Sequence, residues 1–118
     1  MKFHEKLLDI ATGVAIARSA NRKINFRHGC AAERSDGKLI HSYNEMAMER
    51  QWKAHAEARI CRKIDVGATV AVVRVGANGE WANSKPCKNC AKCMQRMGVK
   101  RVYYSIGPDE YAVMILSR

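Results

Sequence analysis

Leu7, Ile10, Ala11, Val14 and Ala17 recur at three- and four-residue intervals through "FHEKLLDIATGVAIARS", which predicts an amphipathic helix over residues 3–19. Such a helix lies with its apolar stripe against a sheet. "INFRHGCAAE" (24–33) and "KLIHSY" (38–43) alternate in part and meet across Ser35-Asp36-Gly37, so they read as a β-hairpin. "KAHAEARICRKID" (53–65) is rich in helix formers and stops before Gly67, which predicts a second helix. "ATVAVVRV" (68–75) is apolar and β-branched on both faces, as a buried central strand requires, and Gly76, Asn78 and Gly79 then mark a loop. Pro86 suits the first turn of a third helix, with Cys90, Met94 and Met97 on one face, Lys88, Lys92 and Arg96 on the other, and Gly98 as its stop. "KRVYYS" (100–105) and "YAVMIL" (111–116) read as strands separated only by "IGPDE", too short for a crossover helix, so they are expected to pair antiparallel. The sum is an α/β sandwich with about five strands and three helices, in a single domain spanning 1–118.

Composition changes this picture in three respects. At 118 residues the chain supports one hydrophobic core. Its most apolar early stretch, "LLDIATGVAIA", is broken by Asp9 and preceded by Glu5 and Lys6, which excludes a signal peptide or membrane span there and makes the cytoplasm the expected location. Five cysteines, an odd number, are then expected to be reduced, so that metal binding ranks ahead of a disulfide. A net charge of +10, from 21 bases and 11 acids, attracts phosphates, although the same excess also serves solubility alone. Lys85, Lys88, Lys92, Arg96, Lys100 and Arg101 follow one another with no acid between them.

Two short stretches carry chemistry: "HAE" (55–57), in the second helix, and "PCKNC" (86–90), opening the third. Cysteines at i and i+3 share a helix face, and the exposed N–H groups and dipole of a helix start favour anionic sulfur. With the imidazole of His55, Cys87 and Cys90 make three ligands for zinc and leave a fourth position open, which signals catalysis. His-x-Glu followed by Pro-Cys-x-x-Cys is the signature of zinc deaminases, in which the Glu is a general acid/base and not a ligand.

On these residues the chain resembles the cytidine and deoxycytidylate deaminase superfamily. The order helix, hairpin, His-Ala-Glu helix, strand, Pro-Cys-x-x-Cys helix, strand is that superfamily's order over nearly the whole chain, and "VVRV", "SKPCKNC" and "GVKRVYYS" look like its small phage and fungal members. The resemblance implies a three-layer α/β/α cytidine-deaminase-like sandwich, Zn2+ held by His55, Cys87 and Cys90, and Glu57 as the proton carrier. Helical spacing alone does not place Glu57 in the site, since positions two apart point roughly 200° away from each other. It further implies substrate contacts from Asn44, from the Ala56 N–H and from the carbonyl near Ser84, although Asn44 also suits a turn cap. An oligomer is expected by the same resemblance. Where nucleoside deaminases usually carry a Glu two residues after that Asn, this chain has Met46, so sugar recognition must differ.

The reaction expected is hydrolytic deamination of a cytosine-containing nucleoside or nucleotide of the CMP/dCMP type, giving the uracil counterpart and ammonia. Basic residues around the third helix and at Arg18, Arg22, Lys23 and Arg27 favour a phosphorylated substrate. One alternative is a deaminase acting on cytosine or adenine in single-stranded DNA or RNA; against it stand the few aromatics and an antiparallel end like that of the nucleoside branch. Another is a structural zinc module that binds nucleic acid without chemistry. That reading needs Cys93 as a fourth ligand, whereas core packing is the default for Cys93, as for Cys30 and Cys61. Trp81 is expected to cover a core edge rather than stack on a base; Trp52 and Tyr104 admit either reading. His4, His28 and His41 have no partner spacing.

Overall fold

The computed structural model describes residues 3–18, 27–43, 60, 61, 63, 64, 66–76 and 79–116. Helix α1 (Phe3–Arg18) buries Leu7, Leu8, Ala11, Val14 and Ala15. The helix is the one that the apolar spacing predicts, but Leu8 and Ala15 lie at its contact while Ile10 sits half-buried at its margin. The hairpin forms as expected: β1 (Arg27–Glu33) pairs antiparallel with β2 (Leu39–Tyr43), and the Asp36 carboxylate accepts the Lys38 N–H in the turn at 3.0 Å.

The apolar run becomes β3 (Thr69–Val75), with Val70 to Val73 all buried. There follow β4 (Trp81–Ala82), α2 (Lys88–Arg96), β5 (Arg101–Gly107) and β6 (Glu110–Ile115). The sheet order is β2-β1-β3-β5-β6, with β4 on β3. β3 is antiparallel to β1 and parallel to β5, and β6 returns antiparallel on β5 through a turn at Pro108-Asp109. The sheet is thus mixed, with its last two strands antiparallel, as the short "IGPDE" connection requires.

Alternation along the strands sends side chains into two cores. Ala31, Ala71, Val73 and Val75 face α1; Cys30, Ala32, Val70, Val72 and Val102 face Met94 of α2 together with Ile60, Cys61 and Ile64. Helical layers therefore cover both faces of the sheet, the α/β/α arrangement expected. Among the described residues six strands occur where about five are expected, because a two-residue strand such as β4 has no periodicity to read. Of the three helices expected, two stand whole among the described residues, and helical Ile60 belongs to the stretch 53–65 of the other. No described helix is long and apolar enough to cross a membrane.

The end of α2 is tied to the turn at Gly67. Gly98 takes φ +85°, open to glycine at little cost, and its carbonyl accepts the Gly67 N–H at 2.9 Å. Cys61 and Lys63 are already in a turn and Ile64 is irregular, so the helix read over 53–65 ends short of Gly67, and it is this later turn that is joined to the glycine ending α2.

Candidate active site

Pro86 does not enter the helix. Cys87 is the N-cap, extended at φ −66°, ψ 164°, and its sulfur accepts the Cys90 N–H at 3.4 Å, while its carbonyl takes the Ala91 N–H at 2.9 Å. The cap must be extended for its side chain to reach back to the first turn, which pushes Pro86 to the preceding position. Cys87 is half-buried and Cys90 fully buried one turn on. Lys88, Lys92 and Arg96 stand exposed on the other side, and Cys90 and Met94 face inward, as the spacing predicts.

This helix start lies at the carboxyl ends of two parallel strands, the usual place for a ligand crevice in an open α/β sheet. β3 and β5 pair from Thr69 with Arg101 as far as Val72 with Tyr104, and there the pairing ends. β1 borders β3 along its whole length, so β4 occupies the other side, with Ala82 against Arg74 and Trp81 against Val75. The chain leaving β4 for Cys87 thus starts inside a splay between the parallel strands.

Ser84 fills the splay. Its N–H donates to Ser105 O at 2.8 Å, and its buried hydroxyl lies 2.9 Å from Val72 O and 3.1 Å from Ser105 O. Ser105, fully buried, accepts the Arg74 N–H at 3.1 Å, and its hydroxyl lies 2.7 Å from Ala82 O and 2.9 Å from the Ser84 hydroxyl. Next to Ser84, the Asn83 side chain accepts the Lys85 N–H at 2.9 Å. Ser105 escaped the sequence reading; its one signal is a serine inside the apolar strand "RVYYSIG", and its partner is 21 residues away.

Of the residues expected in the site, the structure describes Cys87 and Cys90, in contact at the start of α2, and Ser84, three residues before Cys87. His55, Glu57, Asn44 and Ala56 lie outside the described residues, as do Arg22, Lys23 and Trp52 and the side chains of Arg18 and Arg27. Ile60, Cys61 and Ile64, which follow the His-Ala-Glu stretch, pack over the same face of the sheet as α2. Cys93 is half-buried and packs against that core, and Cys30 and Cys61 are core residues, none of the five cysteines being in a disulfide. Trp81 closes the edge of the α1 core and donates its Nε1–H to the Thr12 hydroxyl at 2.9 Å. Tyr104 packs against the α2-side core. His4 stacks on Tyr103 at 4.6 Å and meets the Tyr111 hydroxyl at 2.7 Å, on the α1 face.

A mixed α/β/α sandwich with Cys-x-x-Cys capping a helix at the carboxyl ends of parallel strands is the architecture of cytidine deaminases. The chain belongs to the family described as the cytidine and deoxycytidylate deaminase zinc-binding region, whose model matches residues 1–106. Among solved structures, cytidine deaminase from Burkholderia pseudomallei is similar with a TM-score of 0.71 and 20% identity, over 98% of this chain and 94% of that one. Cytidine deaminase from Mycobacterium leprae follows at TM-score 0.61 and 22% identity, over 96% and 94% of the two chains. That from Mycobacterium tuberculosis has a TM-score of 0.58 and 18% identity, over 88% and 85%. At these identities the likeness is one of fold. No curated protein matches the chain significantly.

Proposed function

We propose that the protein is a hydrolytic deaminase that converts a cytosine-containing nucleoside or nucleotide, with one water, to the uracil counterpart and ammonia. The observation that carries this reading is the Cys87 cap with Cys90 one turn below it, at the carboxyl edge of β3 and β5, in a chain of the deaminase family. Two sulfurs on one helix face, one half-exposed and one buried, suit zinc. Cys87, Cys90 and His55 would hold the ion. When bound, zinc supplies Lewis acidity that makes water a nucleophile at neutral pH.

The remaining steps belong to the chain. Glu57 takes one proton from the attacking water and delivers it to the ring nitrogen, then takes the second from the newly added hydroxyl and gives it to the departing amine, so a single carboxylate shuttles both protons of the water. The Ala56 N–H and the Ser84 carbonyl orient the base and its amine. Asn44 contacts the sugar or base.

A monomeric substrate is favoured over a polynucleotide by the β5–β6 hairpin, whose two-residue connection at Pro108-Asp109 carries no further helix to extend a groove. Exposed Lys85 and Lys88 flank Cys87 and suit a phosphate on the substrate. The protein is further proposed to act as a homo-oligomer in the cytoplasm.

The test is mass spectrometry of products from nucleosides, mono- and triphosphates and single-stranded oligonucleotides, with Glu57→Ala as control. Uracil products from the small molecules, absent with Glu57→Ala, are expected. Product from oligonucleotides alone would move the reading to a nucleic-acid deaminase, and zinc binding without any product would leave a structural module.

A further inference from the structure

Where β3 and β5 stop pairing, their next ladder groups would be left without strand partners inside the protein. Two hydroxyls and one amide satisfy them: Arg74 N–H goes to Ser105 Oγ, Ser105 O accepts the Ser84 N–H, and Val72 O and Ser105 O are both within reach of Ser84 Oγ. Ser105 Oγ also reaches Ala82 O, the last residue of β4 before the chain departs for Cys87. The two hydroxyl protons have four acceptors at hand, namely Val72 O, Ala82 O, Ser105 O and the neighbouring hydroxyl, so each donor is always used.

We propose that Ser105 is a positioning residue of the active site: its hydroxyl, paired with that of Ser84, anchors the segment Ala82–Cys87 in the splay between β3 and β5. It thereby sets where the Ser84 carbonyl and the Cys87 sulfur stand. The inference rests on the reading of Cys87 and Ser84 as site residues given above. The physical reason is that residues 83–87 belong to no helix or strand, so one backbone bond to β5 and the side-chain bonds around it replace the ladder that would otherwise locate them. Ser84 has three contacts to Ser105 of β5 and one to β3, and Ser105 joins β3, β4 and β5 at a single atom. A catalytic carbonyl or metal ligand on an irregular segment depends on such support, since a small displacement costs far more rate than stability.

The experiment compares Ser105→Ala, Ser105→Thr and the parent, with Val14→Ala as a control that trims a buried side chain of α1, the helix on the opposite face of the sheet. Three quantities are read: amide hydrogen exchange at Arg74 and Ser84, the rate of zinc release to a chelator, and kcat and KM on the best substrate of the product screen. Ser105→Ala is expected to speed exchange at both amides, to speed zinc release, and to lower kcat by about tenfold to a hundredfold with little change in KM. Ser105→Thr, which keeps the hydroxyl, is expected to recover most of that loss, and Val14→Ala to lower the melting temperature alone. Should Ser105→Ala not fold, Ser84→Ala removes the partner hydroxyl and carries the same expectation. Zinc release and kcat that stay at parental values in Ser105→Ala, or that move no more than in Val14→Ala, overturn the proposal. Full zinc content in Cys87→Ala instead overturns the site reading on which it rests.

Discussion

Three cysteines at three-residue intervals meet three different surroundings. Cys87 caps the helix and is half-exposed, Cys90 is fully buried one turn on, and Cys93 leans on the core built around Met94. Only the first two share the helix start that opens toward the strand ends. Cys90→Ser is therefore expected to abolish stoichiometric zinc, read by elemental analysis of the purified protein. Cys93→Ser is expected to keep the zinc and to cost about 1 kcal/mol in a denaturant melt, the scale of a partly buried small apolar group becoming polar. Zinc lost from Cys93→Ser would make it a ligand and favour a closed, structural site. Cys-x-x-Cys was readable as chemistry because two ligands of one ion on one helix must be close in sequence, whereas His-x-Glu was readable only through the deaminase signature. Ser105 was not, since its value comes from atoms on three other strands or segments.

At the scale of elements, α1 lies so close to β1 that glycine is required at one point. A Cβ at Gly29 would run into Ala11 O and would stand 2.6 Å from Ala15 N and 3.0 Å from Ala15 Cβ. The obstacle is helix backbone, which cannot turn aside as a side chain can. Gly29→Ala should force α1 off the sheet and destabilise the protein by about 1–3 kcal/mol or more, seen as a lower urea midpoint. A midpoint equal to the parent's would mean that α1 is less firmly seated than this contact implies. Periodicity marked α1, the hairpin, β3 and the last two strands because each buries one face or both and the pattern repeats over several residues. It missed β4, and it set Pro86 inside the helix, because a two-residue strand and a cap are decided by single hydrogen bonds.

Charge is unevenly placed among the described residues. Exposed Lys88, Lys92 and Arg96 run along α2 on the face of the candidate site, whereas Glu5, Asp9 and Asp109 line a shallow cavity with Trp81 and Tyr111 on the α1 side. The bases of α2 would draw an anionic substrate toward that face. If the substrate carries a phosphate, its KM should rise several-fold as ionic strength goes from about 0.01 M to about 1 M, over which the Debye length shrinks from about 30 Å to about 3 Å. The KM of the unphosphorylated nucleoside serves as the reference and should stay level. Equal salt responses for both would remove the bases from substrate recognition and leave them a solubility role.

By itself the sequence determined the class of fold, the antiparallel end of the sheet, the helix that carries the cysteines and the family's ligand signature. These follow from local rules: side-chain period, turn residues, loop lengths, and donors spaced for one face of one helix. Only the tertiary structure decided that β3 and β5 part after Val72 and Tyr104, that β4 enters the gap, and that Ser84 and Ser105 close it with shared hydroxyls. Those contacts join residues far apart in the chain, and the backbone groups they satisfy exist only once the strands have splayed.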